Sequence, residues 1–271
     1  MRVNKLRVRL ARPGPMFGMA FYSQSLAIME IIGHSGFDFV FIDCEHSPLA
    51  IDSQLENVLR AADYAGLATV VRVKGNDEHM IRNALEFGAD AVCIPHVRRA
   101  ADAEQAVSFA KFPPWGVRGA AGDVRVAHYG AGAFDWKAYV EQSNRDSLIV
   151  PLAEDREFFD NIDEILAVKG IDMVNIGPLD LAMSLGLGGL VRTDVPEVQT
   201  RFDLLLRKSA EKGIHVLCPA LPPTLEQARK LAEAGAKAIL LRNDLFCVRT
   251  ICKQFVDDIV GPIRGSGPAT S

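Results

Sequence analysis

The chain has 271 residues, 49% of them hydrophobic and 24% charged, with a formal net charge of -4. That length suits one eight-fold β/α barrel of about 250 residues better than one doubly wound domain, and the composition excludes a disordered or fibrous chain. The 30 basic and 34 acidic side chains are spread evenly, which disfavours nucleic acid and anionic membrane surfaces as partners.

Residues 1–11 are basic and alternating but lack the apolar core of an export signal, and no apolar run approaches the roughly 20 residues of a membrane span. Cys44, Cys93, Cys218, Cys247 and Cys252 are odd in number and have no CxxC spacing, so they read as reduced thiols. A soluble cytoplasmic protein is expected.

The first strand is expected at 16–21. A unit then recurs in which an amphipathic stretch ends in Gly and an apolar run follows: Gly36 before 37–42, Gly66 before 67–73, Gly88 before 89–94, Gly170 before 171–176, Gly213 before 214–217 and Gly235 before 236–241. Glycine supplies the left-handed turn that ends a helix, and a strand apolar throughout is buried on both faces, as in a parallel sheet covered by helices. With a further strand at 148–152, the pattern predicts α/β architecture closed into a (β/α)8 TIM barrel: one domain over 1–260, its last helix near 245–260, and a flexible tail at 261–271.

Helical stripes are legible at Ile51, Leu55, Val58, Leu59 and Ala62, and at Leu225, Ala228, Leu231 and Ala232. The segment 112–139, rich in Gly, Pro and Ala with both tryptophans, fits the repeat least and reads as a long functional loop or a subunit contact.

Barrel enzymes carry their chemistry at the C-terminal ends of strands. That rule selects Asp43, Glu45 and His46 after the second strand, Arg72 and Lys74 at the end of the third, His96 after the fourth, Glu154 and Asp155 after the fifth, and Gly177, Pro178, Leu179 and Asp180 after the sixth. Glu154 and Asp180, on neighbouring strands, suit one hard octahedral cation with room for water and substrate; each also stands where it would cap the following helix. Asp43, three residues before His46, is placed to fix an imidazole tautomer for general base work. Arg72, a charge inside Val70-Val71-Arg72-Val73, must be paired in a structural salt bridge or aimed into a site. Lys74 would serve as a Schiff-base amine if desolvated. His34, His79, His128 and His215 lack partner spacing, and His96 is an outlying candidate. No GxxxxGK[ST], GxGxxG after the first strand, GxSxG or HExxH is present.

With these residues in place, the chain resembles the HpcH/HpaI aldolase family of class II pyruvate aldolases, over about residues 18–255. The likeness rests on Gly36-Phe-Asp-Phe-Val-Phe-Ile-Asp-Cys-Glu-His46, on Val71-Arg-Val73 followed by Asn76-Asp77, and on Pro113-Pro-Trp-Gly-Val-Arg-Gly119. Glu154 followed by Arg156-Glu157, and Ile176-Gly-Pro-Leu-Asp-Leu181, complete it.

The resemblance implies a phosphoenolpyruvate/pyruvate-type barrel and retro-aldol cleavage of a 4-hydroxy-2-oxo acid to pyruvate and an aldehyde. It implies that Glu154 and Asp180 hold Mg2+, Mn2+ or Co2+, that main-chain N–H groups near Gly177, Pro178, Leu179 and Asp180 take the pyruvate carboxylate, and that Arg72 stabilises the enolate oxygen. His46, oriented by Asp43, would handle the proton of the 4-hydroxyl. It further implies homo-oligomers, dimers exchanging the last helix and hexamers built from them, for which Leu245, Phe246, Val248, Ile251 and Phe255 supply apolar surface. One departure is Leu152, where many members carry Gln. The alternatives are a thioester-acting enzyme like the citrate lyase β subunit or malyl-CoA lyase, a Schiff-base aldolase using Lys74, and a barrel that only binds a small ligand.

Overall fold

The computed structural model describes residues 2–187 and 195–265. Eight parallel strands close into a barrel in chain order: β1 (Met16–Phe21), β2 (Phe39–Asp43), β3 (Ala68–Arg72), β4 (Ala91–Ile94), β5 (Leu148–Ala153), β6 (Met173–Ile176), β7 (His215–Pro219) and β8 (Ala238–Asn243). The expected barrel is therefore present, with the strands starting one or two residues later than the apolar runs wherever a run follows glycine. Those first apolar residues complete the turn out of the preceding helix, and the glycines at 36, 66, 88, 170, 213 and 235 all have positive φ.

Two apolar layers hold the barrel. Its interior is filled by inward residues at period two, among them Phe39, Phe41, Val70, Cys93, Val150, Leu152 and Met173. Gly18 faces inward in β1, where a Cβ would lie 2.5 Å from the Phe39 ring; the large ring fills the space that the small residue leaves. Outside the strands, α2 (Leu26–His34), α3 (Ser53–Tyr64), α4 (Glu78–Glu86) and α5 (Ala100–Ala110) bury one face each. In α3 that face is Leu55, Val58, Leu59, Ala61 and Ala62, close to the expected stripe. In α11 (Leu225–Glu233) only Ala228 and Leu231 are buried, and Leu225 is exposed.

The short α1 (Lys5–Leu10) plugs the N-terminal end of the barrel with Leu6 and Leu10, a role that six residues are too few to announce through periodicity. The segment 112–139 lies on that same side. Phe112, Ala127 and Tyr139 form a small core of their own, Arg118 stacks over Phe112 at 4.7 Å, and Arg125 reaches the Phe87 carbonyl at 2.7 Å and the Asp63 carboxylate. It is packed as structure away from the strand C-termini. After it, α6 (Trp136–Asp146) leads into β5, α7 (Arg156–Asp160) and α8 (Ile162–Ile165) follow β5, and α9 (Pro178–Ser184) and α10 (Pro196–Lys212) follow β6.

The last helix, α12 (Asp244–Phe255), continues through a π-helical turn at Val256–Val260 into α13 (Gly261–Arg264). Helix thus extends into the segment read as tail, whose residues 266–271 lie outside the described ones.

Candidate active site

Strand alternation carries the inward positions past the apolar layers to the C-terminal mouth. There Tyr22 follows β1, Asp43 ends β2, Arg72 ends β3, Glu154 follows β5 and Gly177 follows β6. A mouth built in this way is polar because the inward series changes character at its last member.

Asp43 and Arg72 form a buried ion pair, with Arg72 Nε donating to Asp43 Oδ1 at 3.2 Å and Nη2 in closer contact with Oδ2. Burial alone would raise the Asp43 carboxyl, but the hydrogen bonds and charge of Arg72 outweigh it and hold the carboxyl below its usual range. Arg72 Nη1 also lies 3.2 Å from Glu45 Oε2. The guanidinium is therefore fixed on two sides by carboxylates. Tyr22 leans on the same pair, and burial followed by the Asp43 charge pushes its phenol up.

The expected Asp43–His46 dyad takes a different form. Asp43 Oδ1 accepts the backbone N–H of Glu45 at 2.9 Å and of His46 at 3.1 Å, an Asx-type turn that folds the main chain onto the carboxylate and sends the imidazole outward. The exposed His46 ring has Nε2 3.7 Å from Glu45 Oε2. Glu45, to which sequence reasoning gave no role, thus joins Arg72 to His46.

Glu154 is 1% exposed. Its Oε1 accepts the His96 backbone N–H at 2.9 Å, so it does not cap α7. Burial pushes its carboxyl up to about 7, and the charge of Asp180 adds to the rise while the His96 contacts and Arg72 oppose it. On the other side Gly177 makes room, since a Cβ there would come within 2.9 Å of Glu154 Oε2. Below it, Leu152 is buried in the barrel interior and offers no donor. His96 closes the cluster: its Nδ1 lies 3.0 Å from Asp155 Oδ2 and 3.4 Å from Glu154 Oε1, and Asp155 also holds Arg98 at 3.0 Å.

A sequence model of the HpcH/HpaI aldolase/citrate lyase family matches residues 17–248. The chain belongs to that family. A 5-keto-4-deoxy-D-glucarate aldolase of Shigella boydii is 31% identical over 256 residues, which cover 94% of this chain and 95% of the relative. An HpcH/HpaI aldolase/citrate lyase family protein from Burkholderia cenocepacia superposes with a TM-score of 0.85 at 30% identity, covering 95% of this chain and 99% of that one. An HpcH/HpaI aldolase from Desulfitobacterium hafniense gives 0.88 at 25% identity, covering 98% and 100%.

As an HpcH/HpaI aldolase the chain is an aldehyde-lyase, a carbon–carbon lyase on a TIM barrel. Asp43, Arg72 and Glu154, chosen as strand-end residues, stand together at the mouth, with Asp180 in the first turn of α9 close enough for its charge to act on Glu154. Fewer main-chain N–H groups are free at 177–180 than expected. The Gly177 N–H already donates to the Ala153 carbonyl at 3.1 Å and Pro178 has none, which leaves the N–H groups of Leu179 and Asp180. Lys74 is exposed at the rim, without the desolvation that a Schiff-base amine needs.

Proposed function

We propose that the protein catalyses reversible aldol cleavage of a 4-hydroxy-2-oxo acid to pyruvate and an aldehyde, with a divalent cation (Mg2+, Mn2+ or Co2+) held by Glu154 and Asp180. The observation that carries this reading is the Glu154 carboxylate, 1% exposed at the barrel mouth, with one main-chain donor and with Asp180 close enough for its charge to act on it. Two acids so placed at a barrel mouth are relieved by a shared cation, and the oxygen donor set suits a hard divalent one. When bound, the cation supplies Lewis acidity toward the 2-oxo group.

The chain's own groups account for the rest. Breaking the C3–C4 bond leaves negative charge on the pyruvate fragment, and the Arg72 guanidinium, locked by Asp43 and Glu45, presents fixed positive charge to it without reorganising. In the cleavage direction His46 takes the proton of the 4-hydroxyl as the aldehyde forms, and in synthesis it returns that proton. Glu45 Oε2 lies 3.7 Å from the Nε2 of that ring. The N–H groups of Leu179 and Asp180 take the substrate carboxylate. The aldehyde half is read as derived from a sugar acid, in line with the name of the Shigella relative.

Two wider features belong to the same proposal. Among the described residues no helix is long and apolar enough to cross a membrane, which suits a cytoplasmic metabolic enzyme. In α12 only Asp244 is buried, while Leu245, Val248, Ile251 and Phe255 are exposed; such a face suits a homo-oligomer in which the last helix packs on a second copy, in a dimer or a hexamer of dimers.

The test is exhaustive chelation followed by a pyruvate-release screen over 4-hydroxy-2-oxo acids. Activity should vanish with the chelator and return with Mg2+, Mn2+ or Co2+; full activity after chelation rejects the proposal. Borohydride with pyruvate should leave the protein mass unchanged, whereas an adduct on Lys74 would turn the reading to a Schiff-base aldolase. Cleavage confined to coenzyme A thioesters would turn it to the thioester-acting branch.

A further inference from the structure

His96 occupies an unusual place. Its backbone has φ of 53°, a left-handed conformation that a residue with a Cβ adopts at a cost and that persists only where the surroundings impose it. What this turn achieves is visible: it brings both the main-chain N–H and the ring of His96 onto Glu154, at 2.9 Å and 3.4 Å from Oε1. A turn that served only to satisfy Glu154 through the backbone would not need an imidazole folded over the same oxygen.

The ring is oriented through Nδ1, which is at hydrogen-bond distance from Asp155 Oδ2. Nδ1 faces Glu154 and Asp155, and Nε2 lies 4.0 Å from Glu45 Oε1. Donor atoms of His96, Glu154 and Asp155 all lie within 4.8 Å of one another, separations that a single cation spans. A histidine that ligates through one nitrogen is usually held by a carboxylate at its other N–H, which fixes the tautomer and raises the basicity of the ligating atom. Glu45 is the carboxylate on the Nε2 side, at 4.0 Å and so beyond direct hydrogen-bond distance. Leu152 contributes no donor from the barrel interior, so the polar neighbours of Glu154 come from the β4 side, as His96, and from α9.

We propose that His96 Nδ1, clustered with the carboxylates of Glu154 and Asp155, is a nitrogen ligand of the divalent cation held at Glu154, so that this site favours cations that accept imidazole over Mg2+. The inference rests on the metal-site reading given above and adds a ligand to it. An imidazole in the donor set suits Co2+, Ni2+, Zn2+ and, less strongly, Mn2+, whereas all-oxygen sets suit Mg2+.

Pulsed EPR on the Mn2+-loaded enzyme reads the ligand directly, because a coordinated imidazole imprints 14N modulation on the metal signal. The wild type should show it, and His96→Asn should lose it, asparagine being a residue that tolerates the left-handed backbone. In calorimetry, His96→Asn should weaken Co2+ binding by about 10–100-fold while changing Mg2+ binding by less than about threefold. Mn2+ bound without 14N modulation in the wild type, a result independent of how any variant folds, overturns the inference and leaves the Glu154 site standing. Modulation that persists in His96→Asn overturns it equally. Absence of any Mn2+ binding, with Glu154→Gln indistinguishable from the wild type, removes the metal-site reading and this inference together.

Discussion

The two ends of the barrel both bury charge, but they do so differently. At the N-terminal end Asp90, fully buried, accepts Arg2 Nη1 at 2.7 Å, the Lys5 N–H at 3.0 Å and the Thr69 N–H at 2.9 Å. Its neighbour Asp63 meets Arg2, Lys5 and Arg125, and although burial works against it, these partners hold its carboxyl well below the usual range. At the C-terminal end Glu154 is as deeply buried, yet it has one main-chain N–H, an imidazole and a neighbouring acid. Buried acids saturated with donors hold the fold together; a buried acid left short of positive charge is disposed to bind something. The same separation of roles between the faces of β/α barrels is general.

The sharpest way to break this comparison is at Glu154. Glu154→Gln keeps the volume and removes the charge, so cation binding should be lost, and kcat/KM should fall by about 10³-fold or more, since the stabilisation at stake is several kcal/mol. Retained Mn2+ affinity in calorimetry would dissolve the contrast between the two ends. Next is Arg72→Lys, which keeps a charge but loses the planar fork that spans Asp43 and Glu45. A fall in kcat of about 10²–10³-fold is expected, with a smaller change in KM; a change in KM alone would make Arg72 a binding group only.

The opposite end supplies the control. Asp90→Asn removes the buried charge facing Arg2, which keeps Asp63, and sets an amide against donors, at about 3 kcal/mol, or roughly 6–12 °C in Tm for a domain of this size. Activity per folded molecule and cation affinity should stay unchanged. If kcat falls in step with Tm, the two ends are coupled and the division of labour fails.

How far these roles were legible in the sequence follows from the same geometry. Asp43, Arg72 and Glu154 are legible because each stands at or just after the C-terminal end of an apolar strand. Lys74, one step further on, was legible as a candidate but not as exposed. The outward turn of the His46 ring depends on how the chain after β2 folds back on Asp43, and the pairings of Glu45 with Arg72 and of Tyr22 with Asp43 depend on strand stagger. His96 owes its position to a left-handed backbone that its residue type does not announce. At the other end, the ladder from Arg2 to Asp63, Asp90 and Arg125 joins residues up to 88 positions apart, a distance over which spacing carries no signal.

The contrast also has a pH signature. Glu154 and His96 both have folded pKa values above their ordinary ones, Glu154 at about 7 against 4.5, His96 raised by Asp155, Glu154 and Glu45 against the opposing effect of burial. A raised value means that the folded state holds the proton more tightly, so the stability it contributes is present at low pH and is lost as pH rises through the folded value. The metal-free enzyme should therefore lose thermal stability between about pH 5 and pH 8, added cation should restore it above pH 7, and Glu154→Gln should flatten the slope. A metal-free profile already flat in the wild type would show Glu154 to be satisfied without a cation.

The smallest effect is expected at Leu152, and it sharpens the comparison from inside the barrel. Leu152 stands opposite Asn175 in the β5–β6 ladder, and the Asn175 Oδ1 lacks a hydrogen-bond partner in the interior. Leu152→Gln would bring an amide into this space, where Asn175 Oδ1 is an open acceptor and the Glu154 carboxylate stands next on the inward series of the same strand. Burying the amide costs about 1–3 kcal/mol where it stays unpaired and much less where both acceptors are used. Donation to Glu154 orients the carboxylate toward the cation, an effect that in outer contacts of metal ligands is worth about tenfold in affinity. The expected result is a cation affinity raised by about tenfold, with a Tm lowered by only a few degrees. Unchanged affinity together with a large loss of stability would mean that the apolar floor under Glu154 belongs to the core and has no part in the site above it.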